Sequence, residues 1–452
     1  MDEQVDVIVL GMGVGGEEVA LKTAEAGLAV VGIEDRLLGG ECPYFACVPT
    51  KMMVRGSDLL ADGRRIPGMA GDSSVTPDWT PVARRIRDEA TDNWDDKVAV
   101  DRFEGKGGRF IRGRGRIEAR DRVSVGDRTF VASKAVVIAT GTDPAIPPIE
   151  GLRDVPFWTN RDVVKVEHVP SSLTVLGAGP VGLEIAQVFQ RFGTRVTVVE
   201  AAARVLPAEE PESSELVHQA LLNDGITLRL GVSAQRASQN GDGIAVALAD
   251  GSTVTSQRLL VATGRRIDLR AIHVRDAGLD DDAHCIRVDE HLRAAPGIWA
   301  VGDITGVAAF THTAIYQARI AAADILGREH APADYRALPR VTFTDPEVGA
   351  TGLGESQARE RGINVRTGLA HVETSTRGWI HKVDNHGIIK LIEDADRGVL
   401  VGATSVGPVG GEVLSMLIVA VHAEVPVSRL RTMITAYPTF HRAVDDALDD
   451  LG

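Results

Sequence analysis

One structural unit, a strand followed by a glycine turn, a helix and a second strand, is encoded twice in this chain of 452 residues. The two copies span residues 6–34 and 173–200. Each contains the spacing Gly-x-Gly-x-x-Gly and ends in a glutamate 18 residues after its last glycine. The residues concerned are Gly11, Gly13, Gly16 and Glu34 in the first copy, and Gly177, Gly179, Gly182 and Glu200 in the second.

This spacing has a physical reason. The first glycine permits a tight turn, the second lets a pyrophosphate approach the backbone at the helix N-terminus, and the third lets the helix pack on the strand. The terminal carboxylate can accept hydrogen bonds from a ribose. A single motif of this kind is weak evidence, but two complete copies predict an α/β fold with two Rossmann-like dinucleotide-binding domains.

The remaining segments extend this organisation. Apolar runs end in glycine turns at 135–141, 259–264 and 297–303, while residues 52–104 favour helix and residues 108–135 favour short strands. The C-terminal segment differs, because strand patterns at 340–343, 387–392 and 398–406 precede a helical pattern near 411–422. It predicts a separate α+β domain.

Composition excludes several classes of partner. The net charge of −14 argues against nucleic acid and anionic membranes. The longest apolar runs fall short of the roughly 20 residues of a membrane span, and the N-terminus lacks the basic region of a signal peptide. Three cysteines are too few for a secreted disulfide scaffold. The expected compartment is therefore a reducing cytoplasm.

Two of the three cysteines, Cys42 and Cys47, directly follow the first dinucleotide unit. A straight helix would place residues i and i+5 about 7.5 Å apart along its axis, which suits a disulfide poorly. Pro43 fits the first position of a helix, so Cys42 is expected just outside that helix, and Pro49 is expected to kink it. A dithiol beside a dinucleotide site predicts a redox enzyme. The third cysteine, Cys285, is expected in a short strand with a structural role.

Together these features resemble the FAD-dependent pyridine nucleotide–disulfide oxidoreductases, which include dihydrolipoyl dehydrogenase, glutathione reductase and mercuric reductase. The resemblance implies an FAD-binding domain at 1–147 and 271–335, an NAD(P)-binding domain at 148–270 and a C-terminal dimerisation domain at 336–452. It also implies a homodimer that uses a small-molecule electron acceptor. No nucleic-acid partner, membrane span or metal ligand is expected.

The resemblance also assigns roles to residues. It implies that Cys47 is the charge-transfer thiol beside the flavin, that Cys42 is the interchange thiol, and that Lys51 lies close to the flavin with Glu184 as its ion-pair partner. Hydride would pass from nicotinamide to the flavin, and electrons would then pass to the disulfide. The implied FAD contacts, beyond the first glycine loop, Glu34 and Lys51, are Gly115, Thr140, Gly141, Asp303, Thr311 and His312. The implied nucleotide contacts, beyond the second glycine loop and Glu200, are Val232 and Gly264.

Glu200 favours NADH over NADPH. A carboxylate at this position accepts hydrogen bonds from a free ribose 2′-hydroxyl and repels a 2′-phosphate. Arg204 is the nearest basic residue in the sequence and lies four positions away.

The C-terminus departs from the family pattern. Disulfide reductases of the family carry a histidine–glutamate dyad that shuttles protons to the partner subunit's dithiol, but here Tyr437 stands in the histidine position and Arg442 in the glutamate position. Tyrosine is a poor base at neutral pH. His441 could substitute, since Asp445 lies one helical turn behind it.

The acceptor therefore stays open among a quinone, a disulfide and a metal ion. Three alternatives are a dihydrolipoyl dehydrogenase proper, a flavin-binding scaffold with vestigial cysteines and a flavin monooxygenase. Retention of both cysteines, Lys51 and Glu184 argues against a scaffold, and a monooxygenase would need no cysteine pair.

Overall fold

The computed structural model describes residues 2–451, and the chain divides into two compact units. The first unit comprises the residues up to Pro49, Arg84–Ala145 and Arg265–Asp334. The second comprises Thr50–Ala83, Ile146–Gly264 and the residues from Tyr335 onward. Within residues 2–451, no helix combines the length and the apolar character needed to cross a membrane.

The strands are labelled in chain order. They are β1 Glu3–Leu10, β2 Val30–Glu34, β3 Arg109–Arg112, β4 Gly115–Ala119, β5 Arg122–Val125, β6 Arg128–Ile138, β7 Asp143–Pro144, β8 Ser172–Leu176, β9 Arg195–Glu200, β10 Thr227–Leu230, β11 Ala234–Asn240, β12 Gly243–Leu248, β13 Thr253–Ser256, β14 Arg258–Val261, β15 Arg265–Arg266, β16 Arg293–Ala295, β17 Ile298–Ala300, β18 Pro339–Thr342, β19 Glu347–Gly352, β20 Val365–His371, β21 Ile388–Asp394 and β22 Val399–Gly407.

The α-helices are labelled in the same way. They are α1 Val14–Glu25, α2 Glu41–Tyr44, α3 Cys47–Arg65, α4 Thr80–Arg85, α5 Lys97–Glu104, α6 Asn160–Val163, α7 Pro180–Arg191, α8 Pro211–Asn223, α9 Thr311–Ile325, α10 Glu355–Glu360, α11 Thr376–His381, α12 Gly410–His422, α13 Val427–Leu430 and α14 Arg442–Asp450. A π-helical turn, Ile86–Ala90, continues α4.

A single sheet with the strand order β16-β17-β6-β1-β2-β3 organises the first unit. Strands β2, β1, β6 and β17 run parallel and are apolar on both faces. Helices α1, α5 and α9 cover one face, and strands β4 and β5 with the segment 269–277 cover the other. Ile8 and Leu10 face one core cluster, while Val7 and Val9 face another. Helices α1 and α9 pack against each other, since Gly15 leaves room for Ala314.

The second unit contains a parallel four-stranded sheet, a separate antiparallel sheet and the C-terminal domain. The parallel sheet has the order β10-β9-β8-β14, and strands β11, β12 and β13 form the antiparallel sheet. The C-terminal domain is a five-stranded antiparallel sheet of order β18-β19-β22-β21-β20. Helices α12 and α14 cover this sheet, with Leu414, Leu417 and Leu448 in the core. An α/β fold with two dinucleotide-binding sheets and an α+β domain is thus confirmed.

A buried ion network fixes the helix that continues from the cysteine pair. The guanidinium of Arg191 on α7 is only 3% exposed and contacts three carboxylates, those of Asp58, Asp224 and Asp345. Burial and, to a smaller extent, the neighbouring Asp345 carboxylate raise the pKa of Asp58 to about 6. Arg65, at the end of α3, also pairs with Asp345. Because removing one member would leave a charge buried without its partner, such networks hold helices in one arrangement.

Local predictions in two places were wrong. Cys42 is not outside a helix but is the second residue of α2, and the chain breaks at Phe45 and Ala46 rather than kinking at Pro49. Pro49 lies in the first turn of α3, where a missing N–H leaves no bond unmade. Cys285 lies in a loop instead of a strand, although the neighbouring Ile286 N–H donates to the carbonyl of Ile304.

Candidate active site

The first glycine loop is held by its own terminal carboxylate. Gly11 has a φ of +92°, which favours glycine, and a Cβ at Gly16 would overlap the carbonyl oxygen of Gly11. Glu34 Oε2 accepts a hydrogen bond of 2.8 Å from the Met12 N–H, and its Oε1 accepts one of 2.9 Å from the Arg36 N–H. Burial raises the pKa of Glu34, whereas the two backbone donors lower it.

The second loop repeats these contacts. Gly177 has a φ of +104°, and a Cβ at Gly182 would overlap the Gly177 carbonyl oxygen. Glu200 Oε2 accepts a hydrogen bond of 2.7 Å from the Ala178 N–H, and its Oε1 accepts one of 2.8 Å from the Ala202 N–H. The sequence repeat is therefore a repeat of structure.

The space around the middle glycine of each loop is open, which distinguishes a ligand-binding loop from a glycine required by packing. A Cβ at Gly179 would meet no atom within 4 Å, and one at Gly13 would meet only the Gly40 Cα, at 4.0 Å. Both glycines cap the N-terminus of a helix, α1 or α7, and neither helix has a side-chain cap among the described residues. Open backbone beside uncapped N–H groups fits the pyrophosphate of a dinucleotide.

The predicted ribityl-binding residue, Asp303, lies in the turn after β17. Its carboxylate accepts a hydrogen bond of 2.7 Å from the Thr142 hydroxyl, and Arg265 lies 3.8 Å away. Burial raises the pKa of Asp303, although Thr142 and Arg265 lower it. Thr140 and Gly141 lead from β6 to Thr142. Thr142 and Arg265 were not predicted from the sequence, although each directly follows a predicted glycine turn.

Gly115, the predicted adenine contact, begins β4. A Cβ there would lie 2.5 Å from Leu10 Cδ1 and 3.1 Å from Ile33 Cγ2. Packing against β1 and β2 therefore already requires glycine at this position, whether or not the backbone also contacts a ligand.

The two cysteines lie on successive short elements, Cys42 in α2 and Cys47 at the start of α3. Their sulfurs are not joined in a disulfide in this structure. Cys47 Sγ lies 3.2 Å from the Thr311 hydroxyl, and Thr311 is the first residue of α9. The next residue, His312, stacks on Phe310 with ring centroids 5.1 Å apart. The structure thus brings Cys47 and Thr311, two predicted site residues, into contact.

An indole supports the turn between the cysteines. Tyr44 and Phe45 are buried, and the Trp94 Nε1–H donates a hydrogen bond of 3.1 Å to the carbonyl oxygen of Tyr44. Burial raises the pKa of Tyr44 to about 12, so its hydroxyl stays protonated. Trp94 was not predicted from the sequence, because nothing in the local pattern connects it with a turn 50 positions earlier.

The segment that presents Trp94 is itself strained. Asp92, Asn93 and Trp94 have φ values of 46°, 55° and 58°, which L-residues rarely adopt in succession. They follow the π-helical turn Ile86–Ala90. Both features are enriched at functional sites, where the surrounding structure maintains the strain. Their position suggests that the segment serves to hold the cysteine turn.

Lys51 and Glu184, the predicted ion pair, do meet in the second unit. Lys51 Nζ lies 2.7 Å from Glu184 Oε2, and Glu184 Oε1 accepts a hydrogen bond of 2.9 Å from the Phe343 N–H. Lys51 Nζ also lies 4.6 Å from the centroid of the Phe343 ring. The Glu184 carboxylate is therefore fixed on both oxygens and holds the ammonium in one place.

The surroundings of Glu200 bear on nucleotide choice. The Val232 N–H donates to the Glu200 carbonyl. Gly264, which has a φ of +125°, lies three residues after the end of β14 at Val261. The guanidinium of Arg204 donates to the backbone carbonyls of Pro207 and Glu209, both at 2.8 Å. It is directed into its own loop.

The C-terminal residues depart from their predicted pairing. Tyr437 is 66% exposed, its hydroxyl donates a hydrogen bond of 3.1 Å to Thr376, and the Arg442 guanidinium lies 6.0 Å from its ring centroid. The predicted His441–Asp445 pair is not formed among the described residues, because Asp445 accepts from Thr435 at 3.0 Å and pairs with Arg442 at 3.2 Å.

Comparison with known proteins agrees with this geometry. The family described as pyridine nucleotide-disulphide oxidoreductase matches residues 5–318. The dimerisation domain of the same family matches residues 338–448.

Similar proteins include two kinds of enzyme. A dihydrolipoyl dehydrogenase of Thermus scotoductus is 30% identical over 99% of this chain and 97% of that protein. A mercuric reductase of Shigella flexneri is 31% identical over 96% of this chain and 78% of that protein. Among solved structures, LpdA of Mycobacterium tuberculosis is similar with a TM-score of 0.86 and 25% identity, over the whole of both chains.

Trp94→Phe should loosen the cysteine turn, because it removes the indole N–H while keeping an aromatic ring. The carbonyl of Tyr44 would lose its partner, at a cost of about 1–3 kcal/mol in the free energy of unfolding. After reduction, Cys42 should react faster with iodoacetamide. Trp79→Phe is the matched control, since Trp79 Nε1 donates to the Val166 carbonyl at 2.7 Å in the other unit. Equal alkylation rates in the two variants would show that Trp94 does not position the turn.

Proposed function

Because the chain belongs to the pyridine nucleotide-disulphide oxidoreductase family, we propose that it takes electrons from NADH and passes them, with FAD and the Cys42–Cys47 pair, to a quinone or a metal ion in preference to lipoamide. The chain is an oxidoreductase of the FAD-dependent, NAD(P)H-using type. The choice of acceptor rests on one observation: Tyr437 lies at the position where disulfide reductases of the family have a histidine.

The residues present fit FAD. The loop around Gly13 and the N-terminus of α1 would hold the pyrophosphate, Glu34 the ribose and Asp303 the ribityl chain. When bound, FAD would accept hydride from the nicotinamide and pass the electrons to the Cys42–Cys47 disulfide, which they would reduce to the dithiol. The protein's own contribution is to orient the reacting groups and exclude competing reactions.

Cys47 is suited to be a thiolate. It is the first residue of α3, and a helix N-terminus favours negative charge. The Thr311 hydroxyl, 3.2 Å from the sulfur, can donate a hydrogen bond to that charge. Cys42 would then be the sulfur nearer the acceptor, and the Cys42–Cys47 disulfide would re-form as two electrons pass to that acceptor. The Lys51–Glu184 pair keeps one fixed positive charge on the same helix as Cys47, one turn further along.

The other end of the reaction lacks a matched base. Tyr437 can donate a hydrogen bond but does not accept protons readily at neutral pH. Arg442 pairs with Asp445, so the position of the family's glutamate holds a cation. Oxidation of a dithiol such as dihydrolipoamide requires a base that removes a proton from the substrate thiol, whereas a quinone or a metal ion has no thiol to deprotonate.

A homodimer is supported by the surface of the C-terminal domain. Four large apolar side chains are more than half exposed there, which is unusual for a surface that stays in water. They are Trp379, Val419, Ile434 and Tyr437. In a dimer of the family type, Tyr437 would face the dithiol of the partner subunit.

Anaerobic reduction by NADH tests the proposed electron path. The oxidised holoenzyme should show one titratable thiol, Cys285, because three cysteines less the two in the disulfide leave one. NADH should expose two more and produce long-wavelength absorption that Cys47→Ser abolishes. Cys285→Ser is the control, since it should lower the starting count without changing the gain. If reduction exposes no thiol, the pair takes no part.

The acceptor preference is tested by steady-state rates. Dihydrolipoamide oxidation should be slower than quinone reduction, since general acid–base assistance is typically worth roughly 10²–10⁴-fold. The double variant Tyr437→His with Arg442→Glu should raise the dihydrolipoamide rate, whereas Tyr437→Phe should not. Equal wild-type rates with the two substrates would favour a dihydrolipoyl dehydrogenase proper. Loss of such activity in His441→Ala would then assign the proton transfer to His441.

NADH should be preferred over NADPH by at least about tenfold in kcat/KM, which corresponds to about 1.4 kcal/mol. Glu200→Gln should narrow the ratio, because it removes the charge that repels a 2′-phosphate. Arg204→Gln should leave the ratio unchanged, because that guanidinium already binds backbone carbonyls. A preference for NADPH in the wild type would contradict this assignment.

A further inference from the structure

Three side chains of the first unit, His291, Asp324 and His330, lie close together. In the sequence they are far from the glycine loop and from the cysteine turn. One ring nitrogen of each histidine and one carboxylate oxygen of Asp324 all lie within 4.8 Å of one another. His291 lies in the turn before β16, Asp324 in the last turn of α9 and His330 in the loop that follows α9. Neither the dinucleotide sites nor the dithiol uses these residues.

The backbone fixes this arrangement. The Asp289 carboxylate accepts hydrogen bonds from the N–H groups of His291 and Arg293, both at 2.9 Å, and so closes the turn that presents His291. The Ala333 N–H donates to the Glu290 carbonyl at 2.8 Å, which ties the loop of His330 to the same turn.

The hydrogen bond made by Nδ1 of His330 leaves the lone pair of its Nε2 available to the cluster. Its Nδ1 lies 3.0 Å from the Ala331 carbonyl oxygen, and since a carbonyl only accepts, Nδ1 carries the proton of that bond. Its Nε2 lies 3.4 Å from Asp324 Oδ1. In a neutral imidazole these are two acceptors that face each other, so the contact needs either a second proton or a cation between them.

His291 has a ring nitrogen that makes no hydrogen bond among the described residues. Its Nδ1 is buried and has no hydrogen-bond partner. The histidine rings lie 5.1 Å apart between centroids, at 80° to each other. A buried ring nitrogen without a partner is costly, and a metal ion would satisfy it.

Asp324 is held in position by neighbours. Its Oδ2 accepts hydrogen bonds from Arg293 Nε at 2.7 Å and Trp299 Nε1 at 2.9 Å, and its Oδ1 accepts one from Arg293 Nη2 at 2.6 Å. Such partners orient a ligating carboxylate. The positive charge of Arg293 opposes a bound cation, so this contact sets the affinity below that of an unopposed site.

We propose that His291, Asp324 and His330 bind a divalent transition-metal ion of the zinc type, which ties the β16 turn to the end of α9. Two imidazoles and a carboxylate suit Zn²⁺, Cu²⁺ and Ni²⁺ better than Mg²⁺ or Ca²⁺. Metal–ligand distances of about 2 Å place donor atoms about 3–4 Å apart, so rotation of side chains closes the cluster. Water completes the coordination, because the His291 side chain is 34% exposed.

Zn²⁺ titration of the oxidised holoenzyme tests the site, since the disulfide keeps the two active-site sulfurs out of the measurement. Wild type should bind one equivalent of Zn²⁺ by competition with a chelating dye and should melt at a higher temperature with the metal. His291→Ala and His330→Ala should each weaken this binding by more than the roughly 10–100-fold that loss of an outer partner costs. In the presence of chelator, both variants should melt within a few degrees of wild type. If one of them is less stable, the Zn²⁺ affinities from dye competition are compared instead of the melting temperatures.

Two further variants separate this site from adventitious binding. His273→Ala is the control, because His273 is an exposed histidine of the same unit that lies 3.6 Å from Asp276 and belongs to no cluster. It should bind Zn²⁺ as wild type does. Arg293→Gln should bind Zn²⁺ more tightly, by about tenfold or more, because it removes the opposing charge. Failure of wild type to bind Zn²⁺ at neutral pH, or equal binding by His273→Ala, His291→Ala and His330→Ala, would overturn the proposal and leave a protonated His330 paired with Asp324.

Discussion

A carboxylate that binds the backbone of its own glycine loop is the constraint on which each dinucleotide unit depends. In the first unit Glu34, at the end of β2, accepts from the Met12 N–H, and in the second Glu200, at the end of β9, accepts from the Ala178 N–H. The bond ties the end of one strand to the turn that follows its neighbour. It thereby fixes the first turn of the helix, whose uncapped N–H groups must face the ligand.

The segment that carries Cys42 and Cys47 is built onto the first of these loops. The Gly39 N–H donates to the Met12 carbonyl at 2.7 Å, and a Cβ at Gly40 would lie 2.7 Å from the Gly13 Cα. The chain that leads into Cys42 is therefore pressed against the loop that Glu34 holds. Thr311 from α9 and Trp94 from the strained segment then fix the turn from two other directions. A change in the conformation of the loop would therefore shift the positions of the Cys42 and Cys47 sulfurs, although the loop does not contact them directly.

Much of this could be predicted from the sequence, because the decisive signals were local. The glycine spacing, the terminal glutamates and the apolar strands each depend on a few consecutive residues, and the observed strand and helix bounds agree with them. Trp94, Thr142 and Arg265 could not be predicted in the same way, since their partners lie far away in the chain. The break at Phe45 and Ala46 was not predicted for a different reason. The helix start and the kink were predicted from Pro43 and Pro49, whereas the break lies between these two prolines.

The C-terminal residues show why family membership leaves the acceptor open. The third glycine of each loop is restricted by packing, because a Cβ at Gly16 or Gly182 would overlap a backbone carbonyl oxygen. Tyr437 meets no such restriction, since it is exposed and makes one hydrogen bond to a threonine. Arg442 pairs with Asp445, so a cation and not a base lies five residues after Tyr437. The glycine loops are thus constrained by packing, whereas Tyr437 lies at the surface, where a different side chain would disturb the fold little.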